Sequence, residues 1–172
     1  MHIIVPLDGS LLAERAIAPA ALLARRATDP STITLLCVNV HDIAQATLAR
    51  VCQGEIVLFH VAPMRMSEAQ QRQQEEVSYQ YLDAVATRLE RTGITVDRLL
   101  AQGDVADSIS NSLRAKRADI LAIATHGQGG PGPFGGYSTA ESVLHHVTVP
   151  VLMVHPYLHG DAFSSVDAAT TQ

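Results

Sequence analysis

Charge is scarce in this 172-residue chain, lysine almost absent, cysteine nearly so, and no apolar run is long. Charged residues make up 17%, against about 25% in an average soluble protein, so part of an apolar surface is expected to be covered by a partner. Twelve Lys and Arg face seventeen Asp and Glu, a net charge of −5, which argues against binding nucleic acid through its phosphates. The single lysine, Lys116, lies in no glycine-rich loop, so the GxxxxGK[ST] phosphate cradle is missing. No apolar stretch approaches the ~18–20 residues of a membrane span, and no basic-then-apolar leader opens the chain. The expectation is a cytoplasmic protein that neither spans a membrane nor binds nucleic acid. Cys37 and Cys52 form no CxxC and read as reduced core residues rather than a disulfide frame.

The same economy applies to chemistry. His145 and His146 are adjacent and diverge around a helix instead of sharing a face, so no metal site is expected. Neither Ser10 nor Ser138 lies in a GxSxG elbow, and no acid–base pair is placed together by spacing. No catalytic residue is nominated. At most, a weak hydrolytic activity would remain, and it would need a general base that the sequence does not place.

What the chain does have is alternation, and 47% hydrophobic residues with which to build one core. His2–Leu7 reads as a strand ending at Asp8-Gly9-Ser10, a turn and helix start. Leu12, Ala16, Ala20, Leu23 and Ala27 follow helical spacing, with Pro19 expected to kink the helix. Ile33–Val40 is the second strand. Glu55–Val61 is a second strand-like run in the 41–66 segment, either an extra strand or a rival for the core position. The short connection from the first helix favours Ile33–Val40.

Ser67 and Gln70 form a capping box opening a helix to about Thr92, with Val77, Leu82, Val85, Ala86 and Leu89 on its inner face. Ile94–Ala101 is a third strand. A helix follows from Asp104 to about Arg117, then the continuous apolar strand Ile120–Ala124, a glycine-rich loop, a short helix from Ser138 and a last strand, Val149–Val154. The organisation expected is one domain over residues 1–156, with an insert at about 41–66 and a mobile tail over 157–172.

Strands alternating with helices imply a parallel, doubly wound α/β sheet, whose ligands sit beyond the carboxyl ends of the strands. Two loops meet that condition, Leu7–Ser10 and Thr125–Ser138. Six of the 11 glycines fall between Gly127 and Gly136, Gly130 among them, where backbone N–H groups can approach an anion. Ser138-Thr139-Ala140-Glu141 then has capping-box spacing, so Ser138 either caps its own helix or meets a phosphate. Asp8 is likewise a turn former or a ligand contact, and His126 sits in the same crevice loop.

Together, Ile3-Ile4-Val5-Pro6-Leu7-Asp8-Gly9-Ser10, Gly103-Asp104, Ala118-Asp119-Ile120-Leu121 before Thr125-His126-Gly127, and Ser138-Thr139-Ala140-Glu141 running to Val149–Val154 resemble the universal stress protein family. The resemblance implies a flavodoxin- or Rossmann-like sheet of strand order 3-2-1-4-5 and a stress-response module. It also implies a homodimer paired through the Val149–Val154 edge, and ATP or another adenine nucleotide as ligand, with or without Mg²⁺. Family members that bind ATP share the pattern G-2x-G-9x-G followed by Ser or Thr. On this chain its positions are Ala124, Gly127, Tyr137 and Ser138, so two of the three glycines are replaced. The same resemblance places Asp8 at the ribose or metal, Val38 at the adenine and Pro6 and Leu7 along the base pocket; Val61 would replace Val38 if Glu55–Val61 were the core strand. His126, Gly130 and Thr139 complete the expected site. The alternative is a dimeric interaction protein with a degenerate pocket, binding a protein partner through the 41–66 segment or the tail.

Overall fold

The computed structural model describes residues 1–40, 42–43, 46–52, 55–61, 64–125 and 139–155. Five parallel strands form one sheet. β1 (His2–Leu7) is central, flanked by β2 (Thr32–Asn39) and β8 (Ile120–Ala124), with β7 (Thr95–Gln102) and β9 (Val151–Val154) at the edges. The order β7-β2-β1-β8-β9 is the expected 3-2-1-4-5 arrangement.

Both faces of the sheet are covered, which is why its strands read as unbroken apolar runs. On one face Ile3, Val5, Leu7, Ile33 and Leu35 pack under α2 (Ile17–Arg26) and α3 (Glu68–Glu90). On the other, Ile4, Leu36 and Leu121 pack with Ile109 and Leu113 of α4 (Val105–Lys116) and Val143 of α5 (Thr139–Leu144). The expected capping box is present: Ser67 Oγ accepts from Gln70 N at 3.3 Å, and the Gln70 side chain accepts from Ser67 N at 2.9 Å.

Several expectations are corrected. The first helix is two: α1 (Leu11–Glu14) ends before α2 begins, and Pro19 sits in the first turn of α2, where helices accept proline. The buried stripe of α2 is Ile17, Ala20, Ala21 and Ala24, and Leu23 faces outward. Val77 is also exposed, because it stands five residues before Leu82, about 140° around α3 from the stripe that Leu82, Ala86 and Leu89 bury. The third and last strands begin one and two residues later than expected. Pro150 has no N–H to give a ladder, and only its carbonyl accepts, from Leu121 N at 3.0 Å.

Glu55–Val61 is not the second core strand. As β5 it pairs antiparallel with β4 (Ala46–Cys52), Leu48 opposite Phe59, while β3 (Asp42–Ile43) pairs with β6 (Met64–Arg65). Neither pair joins the main sheet. A strand returning directly by a hairpin runs antiparallel, so it cannot take a place that needs a crossover to become parallel. The expected mobile tail, residues 157–172, lies outside the described residues.

Candidate functional site

The sheet splits at the carboxyl end of β1. Main-chain groups point alternately to the two neighbouring strands, and His2 O accepts from Asp119 N at 2.8 Å on the β8 side. Position 6 therefore faces β8 as well, and proline there has no N–H to offer. β1–β8 pairing ends at Ile4↔Leu121, whereas β1–β2 pairing continues to Leu7↔Cys37. A proline in a central strand would ordinarily break a ladder. Here it falls where the strands part, and the crevice expected at a topological switch point opens beside it.

That crevice is a hollow of about 180 Å³. Pro6, Leu7 and Asp8 form one side, Leu36 and Val38 of β2 another, and Ile123 and Ala124 of β8 the third. Ala13 of α1 and Val105 and Ile109 of α4 complete it. Five expected site residues thus converge: Pro6, Leu7, Asp8, Val38 and Ala124. His126, Gly127, Gly130, Tyr137 and Ser138 lie outside the described residues. Thr139 opens α5, placed by its backbone alone. Reading the loops missed Leu36, Ile109 and Ile123. Strand parity carried a signal for Leu36, which stands two residues before Val38 and so shares its face.

Asp8 alone is charged among the described lining residues. Its Oδ1 accepts from Ser10 N at 2.9 Å, Gly9 between them holds φ at +83°, and Ser10 Oγ then caps α1 by accepting from Ala13 N at 3.1 Å. The turn role therefore occupies one carboxylate oxygen, Oδ1, of an exposed residue. Asp104 caps α4 in the same way, accepting from Asp107 N at 3.0 Å, which brings the first turn of that helix to the rim. The arrangement suits a flat apolar ring with hydrogen-bond donors near Asp8. A hollow of this size is below the ~300–1,000 Å³ of sites that enclose whole ligands, so it fits a heterocycle without its phosphates.

Behind the hollow, Cys37 is buried, and burial pushes its thiol pKa up, with a smaller push from the Asp8 carboxylate opposed by a hydrogen bond from Ser78. A protonated, buried thiol is inert. Among the described residues no three His, Cys, Asp or Glu side chains converge as a metal cluster, and no helix is long and apolar enough to cross a membrane.

The universal stress protein family model matches residues 1–155. No curated protein matches at a significant level. Among solved structures, a universal stress protein family protein from Burkholderia pseudomallei is 23% identical, covering 89% of this chain and 94% of its own, with a TM-score of 0.60. A universal stress protein in complex with cAMP is 17% identical over 90% of this chain and 96% of its own, with a TM-score of 0.58. One from Arabidopsis thaliana with AMP bound is 17% identical over 90% and 91%, with a TM-score of 0.56.

Proposed function

The chain belongs to the universal stress protein family, and from that premise we propose that it is a stress-response module binding an adenine nucleotide at the carboxyl end of β1. The observation that carries this reading is the hollow beside Pro6, whose described lining residues are apolar except for Asp8. Adenine would lie between Val38, Leu36 and Ile123, and Asp8 would accept hydrogen bonds from ribose hydroxyls or contribute to a Mg²⁺ site. His126, Gly127, Gly130, Tyr137, Ser138 and Thr139 would meet the phosphates. Two structural neighbours carry AMP or cAMP, which supports the ligand class. Asp8 is the only ionisable group among the described lining residues, so the proposal is for binding rather than turnover. Residues 1–156 would form the binding domain, in the cytoplasm, with 157–172 as an appended tail.

Calorimetry with ATP, ADP and AMP, with and without Mg²⁺, tests this. We expect saturable heat, and at least tenfold weaker binding in Asp8→Ala, since hydrogen bonds to a charged group contribute roughly 1.5–3 kcal/mol. Absence of heat at high protein concentration would exclude the reading.

Ala124 at the rim and Tyr137 in place of a glycine favour a second reading, a dimeric interaction protein whose pocket no longer takes nucleotide. In both readings β9 pairs with its copy in a second chain across a two-fold axis. β9 is an edge strand with Met153 exposed, and such an edge calls for cover. A light-scattering mass of 18.4 kDa, that of one chain, would exclude the dimer.

A further inference from the structure

A second hollow, of about 200 Å³, opens at the opposite end of the sheet, between the C-terminus of α4 and the segment entering β9. Its walls are apolar, from Leu113 and Ala118 on one side and Val147 and Val149 on the other. Ser110 Oγ donates to His146 O at 2.9 Å and ties the two sides together. Arg114, Arg117 and the Thr148 hydroxyl stand around it.

The helix ends there in a left-handed closure. Arg117 N donates to Arg114 O at 3.1 Å and Ala118 N to Leu113 O at 2.9 Å, with Arg117 at φ +48°. Glycine usually fills this position, and a side chain there costs roughly 1 kcal/mol. Among the described residues Arg117 is the one non-glycine at positive φ. Neither Arg114 nor Arg117 forms an ion pair among the described residues, although Lys116 between them pairs with Asp97 at 3.3 Å. The nearest carboxylate along the chain, Asp119, accepts from His2 N at 2.7 Å and is held on β1. Basic residues at a helix C-terminus commonly complement the dipole, which accounts for their position on the last turn. It accounts neither for the cavity beside them nor for arginine in the left-handed place.

We propose that this hollow is a second ligand site, taking the phosphoryl group of a small phosphomonoester between Arg114, Arg117 and Thr148. Guanidinium forks match phosphate oxygens two at a time, and the apolar walls suit the ester's organic body. The site lies at the far end of the sheet from Asp8 and does not depend on the nucleotide reading.

Calorimetry on the full chain with phenyl phosphate, inorganic phosphate and phenol tests it. Phenyl phosphate should bind one per chain, more tightly than either of the others. Arg114→Gln and Arg117→Gly should each weaken it about tenfold, Arg117→Gly while leaving the fold as stable as before or more so, by urea unfolding. Arg91→Gln, at the end of another helix, and Asp8→Ala should leave the binding unchanged. No binding, equal affinity for inorganic phosphate, or binding untouched by both arginine variants would overturn the proposal. So would loss of binding in Asp8→Ala, which would move the ligand to the other end of the sheet.

Discussion

The two ends of the five-stranded sheet differ in how they can meet an anion. At the carboxyl end, helices begin: Ser10 caps α1 and Asp104 caps α4, and the hollow between them has one carboxylate and no cation among its described lining residues. Helix N-termini present unbonded N–H groups, so an anion there can be held by backbone alone. At the amino end helices finish, and their last turns carry Arg25 and Arg26 in α2, Arg88 in α3, and Arg114 and Lys116 in α4. Carbonyl oxygens are exposed at such ends, so an anion must be met by side-chain cations. Parallel strands align the helices, and the alignment assigns the two kinds of recognition to opposite poles.

The comparison breaks most sharply on packing. Leu36→Ala removes a fully buried side chain from both the core and the carboxyl-end hollow, and we expect a loss of about 2–5 kcal/mol in urea unfolding. The amino-end counterpart, Arg114→Ala, should change stability by no more than ~0.5 kcal/mol, because Arg114 is exposed and forms no ion pair among the described residues. Asp104→Ala removes the cap of α4 and should cost about 1 kcal/mol. Arg117→Gly should move the other way, raising stability by up to about 1 kcal/mol as the left-handed backbone is relieved.

The smallest effect is expected between the poles, where the Tyr81 hydroxyl donates to Glu14 at 3.1 Å and Arg88 contacts the same carboxylate at 2.9 Å. Burial, and then the Glu14 charge, push the Tyr81 pKa well above its ordinary value of about 10. Its stabilising contribution is complete below that value and is lost as pH rises through the raised one. A fall in melting temperature above pH 10 that disappears in Tyr81→Phe would show this. On the acid side, Arg98 holds Glu90 below the usual carboxylate range. Stability from that pair is present above that range and lost as pH falls through the lowered pKa; Glu90→Gln should flatten the acid limb.

The strands were legible because both sheet faces are covered, and a fully covered strand is written as an apolar run: ILAIA at 120–124 admits few other readings. Caps were legible for a local reason, since Ser67 and Gln70 need only one turn to find each other. The inner faces of α2 and α3 were less so. Leu23 and Val77 are apolar but stand off the stripes that Ala20, Ala21 and Ala24, and Leu82, Ala86 and Leu89, bury, so apolar character alone did not mark the inner face. The hollow was half legible: Asp8 follows from the end of its strand and Pro6, Leu7, Val38 and Ala124 from the family resemblance, whereas Ile109 comes from a helix brought there by the crossover.

Local chemistry written in the chain determined the strands, the capped helix starts and the turn at Asp8-Gly9-Ser10, because each depends on residues a few positions apart. The short connection already favoured Ile33–Val40 for the core, but tertiary structure alone decided that Glu55–Val61 pairs with its own neighbour outside the main sheet. It also set the parting of β1 from β8 beside Pro6, and the apposition of Arg117 and Thr148 across a cavity. Those outcomes depend on which surfaces meet after long loops close, and no short-range pattern encodes that choice.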